Sequence, residues 1–168
     1  MARTAAIFDF DGTLIAGYSI LAFLKERARR REIGAVAIAR TGVSLLESAL
    51  GSIDHRELIA RGMHQWQGKC VADLDALGEQ LYLREIKALV YPEMRSIVDQ
   101  HRRRGHVLVL ASSAAPFQVA AAARDLGIDH VLCTRLDAQA GVLTGKSQGP
   151  ILWGRAKADA VRDFCRRK

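Results

Sequence analysis

Hydrophobic and polar positions follow two different periods along the chain, and the switches between them outline an architecture. Residues 4–8 form a short apolar run that stops at Asp9 and Asp11, the pattern of a buried strand with polar groups at its C-terminal end. From Ser19 the period becomes helical and stays so to about residue 89. Ile20, Phe23, Leu24 and Ala28 make one stripe, and Ile33, Val36, Ala37, Val43, Leu46 and Leu50 a second. Gly51 breaks the pattern, and Asp54-His-Arg-Glu57 has the form of a capping box ahead of Leu58 and Ile59. Leu74, Leu77 and Leu81 continue at three- and four-residue spacing. Residues 17–88 therefore predict a helical bundle inserted after the first strand.

An alternating order then resumes. Pro92 occupies a first-turn position, Met94, Ile97, Val98 and His101 share a face, and Gly105 closes that helix. Val107–Ala111 is continuously apolar, as expected of a strand buried on both sides, and it ends in Ser112 and Ser113. A helix over 116–126 stops at Gly127, a third strand covers 130–134, and residues 136–144 around Gly141 form a small hairpin. A last amphipathic helix, 154–166, turns Ala156, Ala160, Val161 and Phe164 inward. Strands alternating with helices predict an α/β fold, a Rossmann-like parallel sheet built from residues 1–16 and 89–168, with 17–88 as an inserted helical cap.

Length and charge narrow the function without naming it. A chain of 168 residues suits about one domain with an insert. The 25 basic against 18 acidic residues leave a net charge of +7, which attracts anions: nucleic acid, anionic lipid or phosphorylated metabolites. The basic run 25–31 (KERARRR) could touch an anionic membrane peripherally, although it is expected to be the solvated face of a helix. Residues 33–50, the longest apolar stretch, contain Arg40 and Glu47 and fall short of a membrane span. Acids as early as Asp9 and Asp11 exclude a secretory leader, so the expected location is the cytoplasm. Cys70, Cys133 and Cys165 lack metal-ligand spacing and are expected as free thiols. The 101–106 basic cluster is expected to be a solvated helix end, and Trp66 and Trp153 packing residues.

Asp9-Phe10-Asp11-Gly12-Thr13 carries the chemistry. In extended chain, residues two apart face the same way, so both carboxylates leave the strand end together, where open α/β sheets bind ligands. Two adjacent carboxylates suit a nucleophile and a general acid/base, with a divalent cation between them. Gly12 permits a sharp turn whose amides can hold phosphate oxygens.

These residues resemble the first motif of the haloacid dehalogenase superfamily of phosphohydrolases. The strand Val107–Ala111 ending in Ser112 is similar to its second motif, and Lys157 in Gly154-Arg-Ala-Lys157 to its third. The insert, together with Thr134-Arg-Leu-Asp137 and Gly141-Val-Leu-Thr-Gly145, resembles the phosphoserine-phosphatase-like subgroup. The resemblance implies that Asp9 attacks phosphorus and that Asp11 protonates the leaving oxygen, then activates water. It also implies that Ser112, with Ser113 as the neighbouring choice, and Lys157 hold the phosphoryl group. Mg2+ would bind the Asp9 carboxylate and the Asp11 carbonyl. Tyr18 and Phe23 are candidates for the substrate pocket, as is Trp66.

Two departures qualify that pattern. The family's fourth motif, an acidic pair after a further strand, has no counterpart in the eleven residues between Lys157 and Lys168; Asp159 and Asp163 are expected to be solvated. A fragment of a longer chain is therefore expected, with a C-terminal remainder or a dimer mate covering an open sheet edge. Tyr18 also stands where phosphoserine phosphatases carry a glutamate, so a phosphoserine substrate is not supported. The expected activity is hydrolysis of a small phosphorylated metabolite. The alternatives are a catalytically degenerate domain used for binding or assembly, or part of a larger fused enzyme. Nucleic-acid binding is disfavoured.

Overall fold

The computed structural model describes residues 4–34 and 54–168, together with positions 36, 39 and 43. β1 (Ala5–Phe8) leads into α1 (Ile20–Arg29), α2 (His55–His64) and α3 (Val71–Leu81). A π-helical turn (Tyr82–Ile86) and a 3-10 turn (Lys87–Leu89) follow, then α4 (Pro92–Arg103), β2 (Val107–Ala111), α5 (Pro116–Asp125) and β3 (His130–Leu132). The hairpin strands β4 (Leu136–Gln139) and β5 (Val142–Ser147) precede the last helix, α6 (Gly154–Arg167).

The three core strands form a parallel sheet in the order β1-β2-β3, and β2, buried along its whole length, is central. The pleat divides it cleanly. Leu108 and Leu110 face a large core with Ala6, Phe8, Val98 of α4 and Val119 and Ala122 of α5. Val107 and Val109 face Phe164 of α6 on the other side, with Ala5 and Leu132 beside them. Helices therefore cover both faces of the sheet, which is the α/β architecture expected from the sequence. Among the described residues β1 has one strand neighbour, and its Ile7 remains 38% exposed.

The chain leaves and re-enters this core side by side. The Ala16 amide donates to the Leu89 carbonyl and the Tyr91 amide to that of Leu14, at 2.8 and 3.1 Å. The β4–β5 hairpin then reaches back to the insert: Gly68 and Val71 donate to the carbonyls of Leu143 and Gly141, and the Leu143 amide returns a bond to Lys69. Two adjacent crossings of the chain thus link the inserted helices to the core, and the hairpin bonds to the segment between α2 and α3.

Several expectations change in detail. Half of the second apolar stripe lies outside the described residues, but its Val36 and Val43 are exposed rather than inward. Asp54 caps α2 by accepting from the Arg56 amide, whereas Glu57 pairs with Arg61 instead of closing the box. Ile97 is 38% exposed, because α4 presents Val98 to the core and turns its neighbour outward. The run 25–31 is not simply a solvated face: Glu26 is buried at 1% exposure, and Arg27 is buried over the Trp66 ring. Glu26 meets Arg29, Arg30 and Arg84, which hold its carboxyl down to about 2, with the Arg29 hydrogen bond the largest cause. The cluster after His101 is likewise more than a solvated end. His101 and His106 stand with their Nδ1 atoms 2.8 Å apart, and Arg102 reaches the Leu126 carbonyl at the end of α5. All three cysteines are free thiols. Among the described residues no helix is long and apolar enough to cross a membrane.

Candidate active site

The strand register places the site before any side chain is considered. Phe8 pairs with Leu110, so Asp9 and Ser112 leave the same C-terminal edge of the sheet from adjacent strands, with about 4.8 Å between neighbouring strands. Asp9 is held from both sides. Its Oδ1 accepts from the Phe10 amide at 2.8 Å, and its Oδ2 lies 2.8 Å from Lys157 Nζ. Lys157 belongs to the first turn of α6, whose N-terminus carries partial positive charge toward the same edge. The Asp9 side chain is 42% exposed and Lys157 20%, so the pair opens to solvent at the strand end.

Asp11 is held differently. Its Oδ1 accepts from the Ser19 amide at 2.6 Å, which carries the carboxyl back toward the start of α1. Burial raises its pKa above the ordinary aspartate value. The hydrogen bonds from the Ser19 amide and hydroxyl oppose that shift; Asp9 adds to it and Lys157 subtracts. Of two carboxylates two residues apart, one is ion-paired and open while the other is desolvated. Such an asymmetry separates the roles of neighbouring acids.

The turn between them is built on Phe10, whose carbonyl accepts from the amides of Thr13, Leu14 and Ile15. Gly12 adopts φ +72°, the left-handed region that favours glycine. Its amide, however, donates to the Gly17 carbonyl at 2.9 Å, so that N–H closes the turn instead of facing a ligand. Ser112 is 1% exposed; its amide donates to the Leu132 carbonyl, and its Oγ accepts from the Ala114 amide at 3.1 Å. The hydroxyl proton of Ser112 remains to be donated elsewhere. Ser113, half-buried, follows in the same loop.

The pocket candidates separate. Tyr18 is 55% exposed and precedes Ser19 in the chain. Phe23 is wholly buried, its ring 6.0 Å from that of Trp66 and 5.2 Å from that of Phe117. Phe23 and Trp66 belong to the core, where their rings and that of Phe117 pack against one another. Asp159 and Asp163 point outward, paired with Arg155, Arg162 and Arg166.

Ser19, Gln118 and Thr134 are buried polar residues that nothing in the sequence analysis marks as functional. Gln118 accepts from the Ala115 amide through Oε1 at 2.9 Å and donates through Nε2 to Ser19 Oγ at 3.2 Å. Thr134 donates its amide to the Ala114 carbonyl, and its Oγ1 accepts from the Leu152 amide at 3.1 Å, joining the Ser112 loop to the segment ahead of α6. The available signal was local. Gln118 sits between Phe117 and Val119 in an apolar run, where a polar residue must be paired or costs free energy.

Comparison with known proteins bears on the fold and the family. A protein of unknown function from Bordetella pertussis Tohama I superposes with a TM-score of 0.85 at 22% identity, over 98% of this chain and 74% of that one. A substrate-bound phosphoserine phosphatase shares the fold at TM-score 0.70 and 18% identity, over 99% and 72%. In sequence, the phosphoserine phosphatase SerB1 of Mycobacterium tuberculosis is 32% identical across 98% of this chain and 54% of its own length. The chain thus spans about half the length of the curated relatives it matches. The family model for haloacid dehalogenase-like hydrolases matches residues 6–168, from β1 through α6, and takes in Asp9, Asp11, Ser112 and Lys157. On that match, the chain belongs to the haloacid dehalogenase-like hydrolase family.

Proposed function

We propose that this chain hydrolyses small phosphomonoesters through an aspartyl-phosphate. One observation carries the reading: at one strand end an open, lysine-paired Asp9 stands two residues from a buried, hydrogen-bonded Asp11. Asp9 supplies the attacking oxygen; an O–P bond forms to it as the bond to the leaving oxygen breaks. Asp11, biased by burial toward its protonated form, gives its proton to that leaving oxygen. It then takes a proton from the water that attacks phosphorus, and the Asp9–phosphorus bond breaks to release phosphate. Lys157 and the Ser112 hydroxyl offset charge on the phosphoryl oxygens.

The donor set suits magnesium. Mg2+ prefers oxygen ligands and usually takes one or two carboxylates beside waters and substrate phosphate. The Asp9 carboxylate and Asp11 carbonyl would be the protein's part; among the described residues no group of three or more His, Cys, Asp or Glu side chains offers a fuller cage. When bound, the ion would lower the repulsion between a carboxylate nucleophile and a phosphate dianion. In this reading the inserted helices act as a cap, and the paired crossings at residues 14–16 and 89–91 join it to the core. Exposed Tyr18, in place of an acid, fits a substrate other than phosphoserine.

The test is hydrolysis of p-nitrophenyl phosphate with and without Mg2+, with circular dichroism to show folding. Turnover that needs Mg2+ and falls to background in Asp9→Asn is expected. A folded, inactive wild-type chain would refute the reading.

A further inference from the structure

The first residue ahead of α1 behaves unusually. Ser19 occupies the N-cap position, where a serine hydroxyl ordinarily accepts from its own helix, yet it makes no such bond and is 1% exposed. Its side chain points into the protein instead. Gln118, 8% exposed in the first turn of α5, meets it there.

The bonding directions are fixed by chemistry. The Ala115 amide can only donate, so the oxygen of the Gln118 amide must face it and the NH2 group must face Ser19. That NH2 donates to Ser19 Oγ. The hydroxyl has one hydrogen, and with a donor already on its oxygen that hydrogen is left to donate toward the Asp11 carboxyl, whose Oδ1 the Ser19 amide already holds. The Ser19 amide donates to Asp11 Oδ1 as well, at 2.6 Å. From the Ala115 amide, three residues past Ser112, hydrogen bonds thus run through Gln118 to Ser19, and the Ser19 amide continues to the acid–base carboxyl.

We infer that Ser19 and Gln118 are positioning residues that hold the Asp11 carboxyl in the orientation needed to protonate the leaving oxygen. The inference rests on the phosphohydrolase reading above. Neither residue touches substrate; Ser19 acts on Asp11 directly, and Gln118 acts by deciding which way the Ser19 hydroxyl donates. The step they serve balances simply: the bond from phosphorus to the leaving oxygen breaks, and the Asp11 proton moves to that oxygen.

The test exploits the leaving group. Phenyl phosphate and p-nitrophenyl phosphate are similar in shape, but the nitro group stabilises the departing oxyanion and lessens its need for a proton. Gln118→Glu keeps the side-chain shape and the acceptor for Ala115 but turns a donor into an acceptor, so the Ser19 hydroxyl is drawn away from Asp11. Ser19→Ala removes the hydroxyl. With general-acid catalysis worth about 10²–10⁴-fold, either variant should lose about tenfold or more in kcat/KM on phenyl phosphate. The loss on p-nitrophenyl phosphate should be several times smaller. Ser19→Thr, which keeps the hydroxyl, should restore the ratio of the two substrates toward wild type. Circular dichroism identifies which variants fold, and either folded variant decides the question. Equal losses on both substrates, or no loss, would overturn the inference while leaving the phosphohydrolase reading intact. Absence of Asp9-dependent turnover in the wild type would overturn both, and is recognised because the unmutated chain itself is inactive.

Discussion

Gly78→Ala sets two opposing effects against each other at the junction between the insert and the core. In an open helix interior, alanine is worth about 1 kcal/mol over glycine. Gly78 lies within α3, where that helix crosses the start of α5. A Cβ there would stand 3.0 Å from the carbonyl carbon of Phe117 and nearer still to its oxygen. Comfortable contact between carbon atoms is about 3.5–4.0 Å, so the two backbones must separate. Backbone cannot rotate out of the way as a side chain does, and overpacking of this kind costs about 1–3 kcal/mol. Separation also loosens Leu74 and Leu81, which α3 buries in the same cluster as Phe117. Strain therefore outweighs propensity, with a net loss of up to about 2 kcal/mol. At about 2–4 °C per kcal/mol for a chain of this size, the melting temperature should fall by up to about 8 °C. Phe117 precedes Gln118 and follows the Ser112 loop, so kcat/KM on p-nitrophenyl phosphate should fall too. Thermal unfolding followed by circular dichroism reads the first effect. A rise in melting temperature would show that helix propensity wins and that the helices do not cross backbone to backbone at this glycine.

Other perturbations probe separate features. Thr134→Val keeps the shape but strips the acceptor from the buried Leu152 amide, so urea titration should show a loss of about 1–3 kcal/mol; an unchanged midpoint would argue against the bond. Glu26 is held near 2, below its ordinary 4.5, so its ionisation stabilises the fold fully above about pH 4.5 and that contribution is lost as pH falls through about 2. Glu26→Gln should therefore unfold at lower urea than wild type at pH 6, with the gap closing toward pH 2; a constant gap would contradict the ion-pair cluster with Arg29, Arg30 and Arg84.

How much of the site was legible in the chain depends on how local its causes are. Asp9 and Asp11 could be paired from two-residue spacing at a strand end, and their side chains do share that edge. Lys157 could be singled out only through resemblance to a family motif, since nothing in its own neighbourhood says which strand its helix meets. Gly12 was readable as a turn glycine, but the partner of its amide, Gly17, was not. The burial of Phe23 was not readable, because an aromatic near such a turn looks the same in sequence whether it lines a pocket or packs on Trp66 and Phe117. Tyr18 stayed exposed because it precedes the helical period that carries Phe23 inward.

By itself, the sequence determined the order of strands and helices, the buried character of Val107–Ala111 and the adjacency of two acids. Each follows from periods of 2.0 or 3.6 residues and from glycine and proline at breaks, which are short-range steric facts. Only the tertiary structure decided that Lys157 faces Asp9 and that Ser19 turns from its helix toward Asp11. It also decided that Gln118 and Thr134 join loops tens of residues away, and that Glu26 is buried among arginines. A polar side chain is buried only when another segment supplies its partner. That partner can lie 99 residues away, as Ser19 does from Gln118, beyond the reach of any local pattern.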